Sequence, residues 1–156
     1  MRGMKTGNQH ESLMDSAFTI PLSIIVPAYN EQAGIVGSVR SLIGGMQYPL
    51  YEVIVVNDGS KDATLQKMID EFNMEEVSQK VIRSRGRLQS KKVKAVYQSI
   101  TYPYLLLIDK ENGGKADALN AGINLSRYPY FVSLDGDTVL DYTAFLRIIK
   151  RILEAE

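Results

Sequence analysis

From Pro21 onward the apolar residues come in short blocks that switch between two spacings. PLSIIVPAYN holds a continuous apolar run that predicts a buried strand over residues 22–26, stopped by Pro27. In EQAGIVGSVRSLIGGM, Ile35, Val36, Val39, Leu42, Ile43 and Met46 recur at helical spacing, and Gly44-Gly45 offers a C-terminal stop. YEVIVVNDGS repeats the strand pattern over residues 53–56 and breaks into Asn57-Asp58-Gly59-Ser60. The helix after it would carry Leu65, Met68, Ile69 and Phe72 on one face. YLLLIDKENGGK predicts a third strand over residues 104–108, and KADALNAGINLS a short helix with Ala118, Leu119 and Ile123. YFVSLDGD reads as a fourth strand, and DYTAFLRIIKRIL as a last helix with Phe145, Ile148, Ile149 and Ile152.

Strands that alternate with helices predict an α/β fold with a mostly parallel sheet. The strands are apolar almost throughout, which fits burial on both faces. Residues 77–108 interrupt the rhythm: the stretch has no acidic residue and carries Lys80, Arg83, Arg85, Arg87, Lys91, Lys92 and Lys94. It reads first as a solvated basic connection, and second as a surface for anionic lipid headgroups or a diphosphate. Residues 1–20 show no sustained period and read as a flexible tail, leaving residues 21–156 as one domain. The only histidine, His10, falls in that tail; alone it makes neither a metal site nor a triad.

Composition narrows the picture only a little. A chain of 156 residues suits one domain that buries about two-thirds of its unfolded surface. Lys+Arg and Asp+Glu are equal at 18 each, so bulk attraction to nucleic acid is not indicated. With no cysteine, disulfides and thiolate metal sites are excluded, in keeping with a cytosolic setting. No apolar run approaches the ~18 residues that span a bilayer, and the N-terminus lacks a signal-peptide core.

Chemistry concentrates where the strands end, and in open parallel sheets that is where ligands bind. Ala28-Tyr29-Asn30-Glu31, Asn57-Asp58-Gly59-Ser60, the stretch 109–115 and Asp135-Gly136-Asp137 would all stand on one rim. Taken alone, Asp135-Gly136-Asp137 reads first as an Asx-type turn. Two carboxylates that close also repel unless a cation or proton intervenes, and oxygen ligands of this kind suit Mg²⁺ or Mn²⁺ bridging to phosphates. Asp58 could accept from a nucleobase N–H or cap the following helix, with Ser60 and Asp62 nearby. Lys115 stands at a predicted helix N-terminus, where the dipole does not favour a cation; phosphate binding explains it better. Neither GxGxxG nor GxxxxGK[ST] is present, which argues against a dinucleotide site and a P-loop.

With those residues in hand, the chain resembles a family 2 glycosyltransferase of the GT-A fold. SIIVPAYNE, EVIVVNDGSKDAT, NGGKADALNAGI and SLDGDT occur in that family's order and spacing. IDKENGGKADALNAGI is similar to the processive, membrane-embedded members that make β-linked polysaccharides. The resemblance implies a Rossmann-like sheet in which Pro27, Ala28, Tyr29 and Glu31 line the nucleotide pocket and Asp58 contacts uracil. It places Lys115 near the uridine or diphosphate, Asp137 on a divalent metal, and Asp135 on the ribose, donor sugar or metal. Mg²⁺ or Mn²⁺ would bridge the diphosphate of a UDP-sugar while an acceptor hydroxyl on a glycan displaces UDP with inversion.

The family's general base belongs to an ED or TED motif well downstream of the paired aspartates, followed in processive members by QxxRW and membrane helices. None of these precedes Glu156, and Asp141 and Glu154 stand too close behind Asp137 to substitute. The chain thus reads as the nucleotide-binding part of a larger enzyme, truncated before the acceptor-binding half and inactive or weakly active alone. The parent is expected at the cytoplasmic face of a cell membrane. A non-catalytic nucleotide- or partner-binding module of the same fold is the alternative. A sugar-1-phosphate nucleotidyltransferase would need a GxGTR-like loop where this chain has PAYNE.

Overall fold

The computed structural model describes residues 21–44, 50–78 and 88–136, together with Arg147, Lys150, Arg151 and Glu154. Among these described residues six strands form one sheet: β1 (Leu22–Ala28), β2 (Tyr51–Asp58), β3 (Met74–Val77), β4 (Val93–Ser99), β5 (Leu105–Lys110) and β6 (Tyr130–Ser133). Three helices described along their length flank it: α1 (Ile35–Gly44), α2 (Thr64–Glu71) and α3 (Lys115–Leu125). The strand order is β3-β4-β5-β2-β1-β6. β6, β1, β2 and β5 run parallel, whereas β4 is antiparallel to both β5 and β3.

The α/β architecture matches the expectation, with two additions. β3 and β4 fall in or beside the stretch read as a basic connection, so the sheet is mixed rather than parallel throughout. β1 also continues through Pro27 to Ala28 instead of stopping at the proline. Leu22 donates its N–H to the Leu50 carbonyl on the β2 side, and the Ile25 carbonyl accepts from the Leu134 N–H on the β6 side. Pro27, two residues beyond Ile25, therefore aims its donor-less nitrogen toward β6, where the ladder has already ended at Ile25↔Ser133. The proline costs the sheet no hydrogen bond.

All seven β1 residues are buried because helices cover both faces. On one face Ile35, Val39, Leu42 and Ile43 of α1 join Met68 of α2 and the adjoining Phe72 over Val53, Val55, Leu105 and Leu107. On the other, Ala118 and Ala121 of α3 pack on Ile25, Ile54, Val56 and Ile108. The small residues of α3 permit close approach: a β-carbon on Gly122 would stand 2.5 Å from the Ile25 Cγ2. Of the predicted final helix, Arg147, Lys150, Arg151 and Glu154 are helical and exposed; Phe145, Ile148, Ile149 and Ile152 lie outside the described residues. So do His10, Met46, Lys80, Arg83, Arg85 and Arg87. Among the described residues no helix is long and apolar enough to cross a membrane.

Candidate functional site

The helices that follow β1 and β2 lie on one face, and the helix that follows β5 lies on the other. Neighbouring β2 and β5 thus send their chains to opposite faces, and a crevice must open beyond their carboxyl ends. The last residues of the two strands, Asp58 and Lys110, are register partners at that point.

Both are buried, and each satisfies the other. The Lys110 Nζ donates to Asp58 Oδ1 at 2.5 Å, to Asp117 Oδ2 at 2.6 Å and to the Glu111 carbonyl at 2.6 Å. A fully buried ammonium persists only with such partners. Asp58 Oδ1 also accepts the Gly113 N–H at 3.0 Å, and Oδ2 accepts the Gly114 N–H at 2.8 Å. The Asn112 amide donates to the Asp58 carbonyl at 2.8 Å and reaches Oδ2 only at 3.3 Å. Asp58 therefore does not cap the following helix; it fastens the 112–114 loop that leads into α3. Asp117 takes the Lys91 N–H as well. Burial pushes the Asp117 carboxyl up, but the bonds from Lys110 and the Lys91 amide outweigh it and hold the group below its ordinary value.

Seven residues predicted from the sequence converge on one cleft of about 380 Å³: Pro27, Ala28, Tyr29, Glu31, Asp58, Lys115 and Asp135. Asn112, Gly114 and Gly136 also line it. Lys115, the first residue of α3, forms an ion pair with Asp135 beyond β6, and both side chains are more than half exposed. Asp137 lies outside the described residues. Among those described, no three His, Cys, Asp or Glu residues cluster to enclose an ion. The donor set nonetheless fits Mg²⁺ or Mn²⁺, since such ions need only one or two carboxylates beside substrate phosphates and water, and Asp135 supplies an exposed one.

A second network holds the rim together and was not foreseen. The Asn30 N–H donates to Ser60 Oγ at 2.9 Å, while Asn30 Oδ1 accepts the Lys61 N–H at 2.8 Å. The Glu31 N–H donates to Thr64 Oγ1 at 2.8 Å, and the Ala63 N–H to Gln32 Oε1 at 3.0 Å. Asp62 accepts the Thr64 N–H and hydroxyl on Oδ1 and the Gln32 N–H on Oδ2. Asn30 adopts a left-handed φ of 52° to make its contacts. Thus Asn30, Ser60, Asp62 and Thr64 knit the loop after β1 to the loop after β2, and Tyr29 and Glu31 are presented from that joint. Paired Asn, Ser and Asp residues in two loops were the available signal, but their partners across 30 positions could not be read.

A model of "Glycosyl transferase family 2" matches residues 23–110 and 93–156. The chain belongs to this family. Similar to this family 2 chain is the poly-beta-1,6-N-acetyl-D-glucosamine synthase of Staphylococcus epidermidis, 31% identical over 129 residues. That match covers 83% of the chain but 24% of the synthase, so the chain spans about a quarter of that relative's length. A dolichyl-phosphate beta-glucosyltransferase from Dictyostelium discoideum is 29% identical over 93% of the chain and 41% of its own length. Among solved structures, S. aureus TarS 1-349 superposes with a TM-score of 0.58 at 21% identity, covering 86% of the chain and 33% of that protein. TarS 1-349 in complex with UDP-GlcNAc gives the same TM-score at 20% identity, covering 86% and 32%. The glycosyltransferase GT-A fold is common to these structures and the family 2 chain.

Proposed function

We propose that the chain is the UDP-sugar-binding part of an inverting, metal-dependent glycosyltransferase that adds a hexose or N-acetylhexosamine to a growing glycan. The observation that carries this reading is the convergence of Pro27, Ala28, Tyr29, Glu31, Asp58, Lys115 and Asp135 on one cleft at the switch point of the sheet. Tyr29 offers an exposed ring against which a base can stack. Asp58 would meet the base edge, and Lys115 stands at a helix N-terminus where a diphosphate would meet an ammonium and the N–H groups of the first turn. Asp135 and Asp137 would hold Mg²⁺ or Mn²⁺, which when bound offsets the charge that builds on the departing UDP. Lys115 now pairs with Asp135, so a diphosphate and a metal entering together would each take one member of that pair. An acceptor hydroxyl would attack opposite the diphosphate with help from a general base. The relatives' polysaccharide and lipid-linked products suggest a membrane-associated parent.

Calorimetric titration of UDP into the chain, with and without Mn²⁺, tests the reading. UDP should bind more tightly with the metal, and Asp137→Ala and Asp58→Ala should each weaken binding about tenfold or more. Metal-independent binding, with Asp137→Ala equal to the parent, would remove the metal from the proposal.

A further inference from the structure

We infer that Lys110 is the positioning residue that gives the cleft its preference among nucleobases, acting through Asp58; the inference rests on the reading that the cleft takes a nucleoside diphosphate. Lys110 is fully buried and does not line the cleft, so it touches no ligand itself. What it does is commit one oxygen of Asp58. Oδ1 is filled by the Lys110 ammonium at 2.5 Å and the Gly113 N–H at 3.0 Å. Oδ2 has one good donor, the Gly114 N–H at 2.8 Å, and a long contact of 3.3 Å from an Asn112 amide already bonded to the Asp58 carbonyl at 2.8 Å. A carboxylate oxygen accepts about two hydrogen bonds. With the 3.3 Å contact counted as weak, Oδ2 keeps room for one stronger donor, and Asp58 is among the residues that line the cleft.

An oxygen that can only accept selects for a ring N–H. The N3 position of uracil is such a donor, whereas the N3 position of cytosine is a lone pair that would meet Asp58 with repulsion. The discrimination depends on aim. With Lys110 removed, Oδ1 loses its charged partner and Asp117 its ammonium, and the aim of the Asp58 carboxylate rests on the Gly113 and Gly114 N–H groups of a loop and on the long Asn112 contact alone. The buried ion triad is a poor device for stability alone, since apolar side chains of like volume serve as well. Orientation of Asp58 accounts for it.

The test is calorimetric titration of UDP and of CDP, each with Mn²⁺, into the 156-residue chain and its Lys110→Met variant. The parent should prefer UDP. In Lys110→Met the UDP affinity should fall about tenfold while CDP affinity changes less than about twofold, collapsing the ratio. If both nucleotides weaken by one factor, Lys110 is merely structural and the inference fails; it also fails if the ratio survives. Should Lys110→Met not fold, Asp58→Asn is compared with Asp58→Asn/Lys110→Met, in which the buried charges are nearer balance. Equal UDP-to-CDP ratios in these two support action through Asp58, and unequal ratios overturn it. A parent chain that binds neither nucleotide overturns the underlying reading as well, which separates that failure from a failure of Lys110 alone.

Discussion

Gly59 shows how little room the rim leaves for a single residue. Its φ is +68°, and a β-carbon there would stand 2.6 Å from the Asn112 backbone nitrogen, a contact that must shift. Gly59→Ala should therefore cost about 1–3 kcal/mol, through left-handed strain and through displacement of the loop that Asp58 holds. Thermal unfolding followed by circular dichroism measures that cost, and an unchanged midpoint would contradict it. Single residues were unevenly legible in the sequence. Tyr29, Glu31, Asp58, Lys115 and Asp135 stood out because they are polar or aromatic where apolar runs end. Lys110 did not, since a lysine after a strand reads as the start of a loop. Its burial depends on Asp58 lying opposite in a register that only the folded sheet reveals.

Between elements, the joint from the loop after β1 to the loop after β2 is ionisable. Desolvation pushes the Asp62 carboxyl up, but bonds from the Thr64 hydroxyl and the Thr64 and Gln32 amides outweigh it and leave the group below its ordinary 3.8. A group lowered in the folded state stabilises above its unfolded value, and that stability is lost as pH falls through the folded value. Unfolding midpoints should thus decline below about pH 4. Asp62→Asn should be less stable than the parent near neutral pH, with the gap closing as pH falls toward about 3. A gap that does not change with pH would show that the charge of Asp62 is irrelevant to the joint. The same scale explains which elements the sequence concealed. β4 is broken by an irregularity between Val93 and Ala95, so its alternation of buried and exposed residues slips where it would have been read. β3 is four residues with two exposed glutamates, a polar strand of the kind that guards a sheet edge and resembles a loop in composition. β1, β2 and β5 were readable because burial leaves their interiors mostly apolar, the buried Ser23 of β1 and Glu52 of β2 being paired with each other.

For the molecule as a whole, the two apolar layers are unequal among the described residues. The layer under α1 and α2 is the larger, and Phe72 is fully buried in it, edge-on to the Tyr102 ring and beneath the Arg40 guanidinium. Phe72→Ala should cost about 3–5 kcal/mol, because close packing leaves little freedom to collapse around the void. Chemical denaturation would give the value, and a loss under about 1 kcal/mol would mean that the layer repacks. One last consequence concerns how the fold finds its register. Beyond Ile25↔Ser133 Pro27 offers β6 no donor to pair with, and a slip of one residue would turn its side chains to the wrong faces. Pro27 therefore works as an end-stop on a ruler: past Ser133 the β1 edge offers the chain no further N–H, and Asp135 follows just beyond that mark.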